Sequence, residues 1–120
     1  MNKHCVLKTY TIKETIDKID ASKDRVALVV NNDNVIIGVV SQGDIIRALS
    51  AGKNIYSRVE GIIQPGFLYL NERNMEKAYA IFRKKKITLL PVVKENFKLE
   101  SVITMTDIYD YLGASCIIQI

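Results

Sequence analysis

The chain has 120 residues with a formal net charge of +4, and 48% hydrophobic residues against 25% charged. That is the composition of one globular unit, or two very small ones, rather than a fibrous or disordered chain. No apolar run approaches the roughly 18 residues that cross a bilayer, and no secretory stretch follows Met1, so a cytoplasmic protein with no membrane partner is expected. Cys5 and Cys116 lie near opposite ends without CxxC spacing and are expected as free thiols, while the single histidine, His4, excludes a His/Cys metal cluster.

In chain order, Thr11-Ile12-Lys13-Glu14 is a capping box, and Ile12, Ile16 and Ile19 follow at helical spacing, predicting a helix over 12–21. Val26 to Val30 and Val35 to Val40 flank Asn31-Asn32-Asp33-Asn34 and read as a hairpin. A short helix from Asp44 to Ser50 is expected to end at Gly52 in the left-handed conformation. Asn74 caps the next helix, with Met75, Ala78, Tyr79 and Phe82 on its apolar face. Leu89 to Val93 forms a strand in which Pro91 has no amide to donate, so an edge position or a locally opened chain is expected. Lys94-Glu95-Asn96-Phe97 is the matching turn, and a helix from Asp107 to Leu112 is expected to end at Gly113.

These elements repeat. Offsetting the chain by 63 residues, without a gap, lays Val26–Val30 on Leu89–Val93, Val39–Ile45 on Val102–Ile108, Leu49 on Leu112 and Leu7 on Leu70. A mixed α/β (α+β) fold follows, of two β-α-β-β-α units over 1–60 and 61–120. Each is too small to be comfortable alone, so the two pack as a pseudo-two-fold pair with clefts at their junction.

The chemistry-bearing constellation is Gly38-Val39-Val40-Ser41-Gln42-Gly43-Asp44 and its counterpart Ser101-Val102-Ile103-Thr104-Met105-Thr106-Asp107. A strand ends in a hydroxyl residue, and an acid three positions later opens a helix. Amides at a helix start attract phosphate, the hydroxyl can hydrogen-bond it, and the carboxylate can accept from ribose hydroxyls. The same spacing also serves a plain helix cap.

Together with Leu90-Pro91-Val92-Val93, these segments resemble the tandem CBS domain pair, and the likeness covers nearly the whole chain. The resemblance implies a non-catalytic regulatory module with no required cofactor, taking AMP, ADP, ATP or S-adenosylmethionine as regulatory ligand in the clefts. By position it implies Ser41 and Asp44 acting with Phe67, Ile87 and Leu89, and Thr104 and Asp107 acting with Cys5 and Val26. Ser101 in place of the motif glycine, and Leu28 in place of the strand proline, make close backbone approach to a ligand less assured. A narrower likeness is to CBS pairs ahead of sugar-phosphate nucleotidyltransferase domains, which makes a fused or associated domain of that kind an expected partner.

Signatures of enzymes are missing: there is no GxxxxGK(S/T) and no GxGxxG. His4 and Cys5 are neighbours on an extended segment and read as a partly exposed terminal pair rather than a dyad. The run Arg83-Lys84-Lys85-Lys86 reads as a solvated helix end, with Arg47 or Lys86 available to nucleotide phosphates; a basic nucleic-acid module is the less favoured alternative. A homodimer through the helices is expected, with Tyr109 and Tyr111 packing against a second copy. The apolar end Cys116 to Ile120 is expected to meet a partner chain or lead into a further domain. The other alternative is a structural dimerisation module with vestigial clefts.

Overall fold

The computed structural model describes residues 2–119, with side chains described over 2–113. The expected apolar end, including Cys116, lies outside the described side chains. The first repeat comprises β1 (Cys5–Leu7), α1 (Ile12–Ser22), β2 (Val26–Val30), β3 (Ile36–Ser41) and α2 (Gln42–Ser50). The second comprises α3 (Met75–Lys84), β4 (Leu89–Val93), β5 (Leu99–Thr104) and α4 (Met105–Gln119). The mixed helix and strand content and the paired repeats are as expected, but the second repeat has no full counterpart of β1.

Local chemistry sets the helix starts. Thr11 Oγ1 accepts from the Glu14 amide at 3.1 Å while Glu14 Oε1 accepts from the Thr11 amide at 2.9 Å, so two orphan donors of α1 are satisfied reciprocally. Asn74 Oδ1 accepts from the Lys77 amide at 3.0 Å to open α3. Gly52, at φ 93, follows α2 in the left-handed conformation as expected. Gly113 does not play that part, because α4 runs through it to Gln119. A glycine permits a left-handed stop, but only a chain that turns away makes one.

Strand alternation builds three cores. Ala27, Val29 and Val40 face α1 and α2 with Ile12, Ile19 and Ile45. Leu90, Val92 and Ile103 face α3 and α4 with Ala78 and Ile108. The opposite faces of both sheets meet in a shared core of Cys5, Leu28, Val30, Ile36, Leu89, Val93, Leu99 and Val102. Each sheet is therefore covered on both sides, and the middle layer joins the repeats. Removing one large side chain from it would cost about 2–5 kcal/mol.

Val35 and Lys98, equivalent positions of the two repeats, pair with each other as an isolated antiparallel bridge. Beside it the Leu99 amide donates to the Asn34 carbonyl at 2.9 Å, and Asn34 Nδ2 donates to the Leu99 carbonyl at 3.2 Å. This bridge marks the pseudo-two-fold axis. Asn34 (φ 63) and Phe97 (φ 60) are both left-handed at matching positions. Asparagine tolerates that conformation, whereas for phenylalanine it costs about 1–2 kcal/mol. Phe97 sits edge-on to Tyr69 and Phe67, at ring separations of 5.0 and 6.3 Å.

Pro91 accounts for the missing strand. In the first repeat the Leu28 amide donates to the His4 carbonyl at 2.9 Å and starts the parallel pairing of β1 with β2. Pro91 stands where Leu28 does and has no such donor. Pairing along β4 is reduced to one parallel bridge between Leu70 and Val92. The Leu70 amide donates to the Pro91 carbonyl at 3.0 Å, and the Val93 amide to the Leu70 carbonyl at 2.8 Å. Leu70 thus occupies the place of Val6, which pairs with Val29, rather than that of Leu7, so the gapless alignment slips by one residue here.

Candidate functional site

The two hydroxyl-x-x-Asp segments sit at the starts of α2 and α4. The Ser41 amide donates to Asp44 Oδ2 at 2.8 Å, and Ser41 Oγ accepts from the Asp44 amide at 3.1 Å. Thr104 and Asp107 repeat this at 2.8 and 3.2 Å. Both pairs are capping boxes. Each uses one carboxylate oxygen and sets a hydroxyl at the helix start, where an anion would approach.

The two sites differ beyond the cap. Asp44 Oδ1 accepts from Arg47 Nη2 at 2.6 Å and from Gln64 Nε2 at 3.3 Å. Burial pushes the Asp44 pKa up, but the bonds from the Ser41 amide and hydroxyl, Arg47 and Gln64 outweigh it and hold the carboxyl below its usual range. Gln64 is delivered by Gly38. The Val39 and Gln64 amides and carbonyls exchange bonds of 3.0 and 2.8 Å, and a Cβ on Gly38 would stand 2.8 Å from the Gln64 carbonyl oxygen. The motif glycine in this repeat makes room for the chain itself rather than for a ligand. In the second repeat Ser101 instead accepts from Arg73 Nη1 at 3.1 Å, and Arg73 Nη2 lies 3.6 Å from Asp107.

A cavity of about 590 Å³ opens between the repeats beside Ser41. Phe67, Ile87 and Leu89 of the second repeat line it, with Val26, Leu28 and Val39 of the first. Arg25 and Lys86 stand at its rim, both exposed. Ser41, Phe67, Ile87 and Leu89 are thus brought together. Asp44 lies one turn along α2 from Ser41, under Arg47, and is not part of the cavity wall.

A second cleft, of about 480 Å³, contains Thr104 and Asp107, together with Thr106, Val102, Lys3, His4 and Asp24. Neither apolar residue expected there reaches it. Val26 lines the first cleft instead, because β2 places it opposite Ser41. Cys5 is fully buried in the middle core, where burial pushes its thiol up to about 11 against the weaker opposing pull of Lys18 and the N-terminus. His4 Nδ1 and Asp24 Oδ2 are hydrogen-bonded to each other, with His4 only 8% exposed, so His4 is not a partly exposed end group.

Sequence reasoning did not reach Arg73 or the His4–Asp24 pair, whose partners lie 28 and 20 residues apart. The 63-residue offset did hold a signal for Asp24, because it falls on Ile87.

Comparison with known proteins decides the family. The CBS domain profile matches residues 1–51 and 59–114. The chain belongs to the CBS domain family. No curated protein matches it in sequence. Among solved structures, a CBS domain pair/ACT domain protein from Thermotoga maritima is 21% identical with a TM-score of 0.76, covering 92% of this chain and 88% of that one. A CBS domain protein from Pyrobaculum aerophilum, complexed with AMP, is 22% identical with a TM-score of 0.70, covering 92% and 90%. The cytosolic domain of the Mg2+ channel MgtE, in complex with ATP, is 24% identical with a TM-score of 0.69, covering 89% and 44%. These likenesses establish a shared CBS-pair fold. In this CBS pair no helix among the described residues is long and apolar enough to cross a membrane.

Proposed function

We propose that this CBS pair is a regulatory module that binds an adenine nucleotide in the cleft beside Ser41. The observation that carries the reading is the convergence, in one cavity, of a helix start bearing Ser41, the cations Arg25 and Lys86, and the apolar side chains Phe67 and Ile87. Phe67 and Ile87 offer flat and branched apolar surface to a base, with Leu89 below them. Ser41 and the α2 amides face a phosphate, with Arg47 within reach once it leaves Asp44, whose freed oxygen then accepts from ribose. The AMP and ATP held by the two CBS neighbours support this ligand class.

Regulation follows from linkage. A nucleotide touching both repeats favours one mutual orientation and transmits only that differential affinity to an attached or associated domain, for which a nucleotidyltransferase is the expected class. The module itself performs no catalysis in this reading and acts in the cytoplasm. It assembles as a homodimer through its helices. In support, Ile46 on α2 and Tyr109 on α4, equivalent positions, are 63% and 69% exposed.

The test is isothermal titration with AMP, ADP, ATP and S-adenosylmethionine at physiological salt. Saturable binding of one of them, weakened more than about tenfold by Ser41→Ala or Asp44→Ala, is expected. No heat from any of the four would leave a dimerisation module. A steep salt dependence of oligonucleotide binding, relieved by Lys84→Ala with Lys85→Ala, would favour the basic module instead. Against that module, Arg83 lies over the Tyr79 ring at 5.6 Å and Lys86 turns to the cleft, so the four cations do not form one stripe.

A further inference from the structure

We infer that the His4–Asp24 pair reserves nucleotide binding to one of the two clefts; the inference rests on the nucleotide reading above. The clefts share their architecture and differ in what fills the base-binding wall. Where the first cleft offers Ile87, the equivalent residue of the second is Asp24. Where the chain entering the first cleft presents Phe67 and Leu68, the second is entered by Lys3 and His4, one residue out of the 63-residue offset because Leu70 takes the place of Val6. His4 and Asp24 are 8% and 15% exposed and satisfy each other by a hydrogen bond. An adenine inserted there would either stack on polar edges or separate the pair, stranding two desolvated groups.

The phosphate end of the second cleft is adverse as well. Arg47, which reaches Asp44 at 2.6 Å across one turn of α2, is matched in α4 by Asp110, one turn beyond Asp107. Where α2 carries that cation, α4 therefore carries a second acid, although Lys3 adds one positive charge to the cleft. Arg73 lies 3.6 Å from Asp107 and donates to Ser101 and the Val102 carbonyl, an engagement comparable to that of Arg47 with Asp44, so the difference between the two phosphate ends rests on Asp110. The wall and the phosphate end therefore discriminate in the same direction.

The experiment is calorimetric titration of the full chain with ATP and with AMP, reading stoichiometry per chain. Wild type is expected to take one equivalent. His4→Leu combined with Asp24→Ile, which copies Leu68 and Ile87 of the first cleft into the second, is expected to take two, and adding Thr104→Ala to that variant is expected to remove the second. Asp24→Ile alone provides the same readout if the double variant does not fold. Two equivalents bound by wild type would overturn the assignment of the pair while leaving the nucleotide reading intact. One equivalent bound by both folded variants would also overturn it. Absence of binding to wild type would overturn the nucleotide reading and this inference together.

Discussion

Leu28 and Pro91 hold the same place in the two sheets, and only Leu28 donates a backbone bond to the strand beside it, at 2.9 Å to the His4 carbonyl. That donor begins the pairing of β1 with β2, which the Lys8 amide closes on the Val30 carbonyl at 2.9 Å, and it holds His4 at the second cleft. Without it, the chain at 66–68 leaves the sheet and lines the first cleft with Phe67. Leu28→Pro is expected to fray β1 and cost about 3 kcal/mol, from a lost bond, a stranded carbonyl and lost packing. Urea unfolding with amide exchange at Val6 and Lys8 checks this; unchanged protection there would refute the role of the donor.

Gly38→Ala places a Cβ 2.8 Å from a backbone oxygen that no side-chain rotation can move. The Gln64 segment must shift, and with it the side-chain amide that bonds Asp44. A loss of about 1–3 kcal/mol is expected, whereas Ser101→Ala, at the equivalent position, should cost under about 1 kcal/mol. Paired denaturation curves decide between them.

Asp44 carries the pH dependence of the first cap. Its pKa in the folded protein lies below the ordinary carboxylate value, so its stabilisation is present at neutral pH and is lost as pH falls through the range about and below pH 4. Asp44→Asn should therefore be less stable than wild type at pH 7, and the gap should narrow steadily on acidification. A gap that stays constant from pH 7 to pH 3 would rule this out.

Cys5 titrates in the opposite sense. With its thiol raised to about 11, the folded state holds the neutral form, and stability should decline as pH climbs from about 9 towards 11. In a Cys116→Ser background the native protein is expected to resist iodoacetamide at pH 8 and to react on unfolding. Rapid native-state alkylation would show that the middle core opens.

Ile46→Lys with Tyr109→Lys tests assembly through the helix faces. Both sites are exposed, so folding should change by under about 0.5 kcal/mol each, while sedimentation velocity should shift from dimer to monomer. A wild-type monomer at micromolar concentration would remove the dimer.

The parts of the fold that were legible in the sequence are the ones decided within a few residues. Thr11 with Glu14, Ser41 with Asp44, and Thr104 with Asp107 each form the reciprocal cap their spacing announces. The repeat offset aligned both helix starts, while Phe67, Ile87 and Leu89, which line the first cleft, came from the family resemblance. It failed where one residue changes what a distant strand can do, as at Pro91, and where contacts join separate segments, as with Arg73 and Ser101 or His4 and Asp24. Cys5 was misplaced because alternation along β1 could not say which face looked at the cleft and which at the other sheet. Gly113 misled because glycine lowers the barrier to a left-handed turn without requiring one.

The bridge of Val35 and Lys98 is made of backbone groups, with the Asn34 side chain the one addition beside it, so it asks little of the side chains elsewhere in either half. A joint of that kind lets the two halves drift apart in chemistry without drifting apart in space. Duplicated units tied in this way can retire one pocket, or retask it, and still close like a book on an unaltered spine.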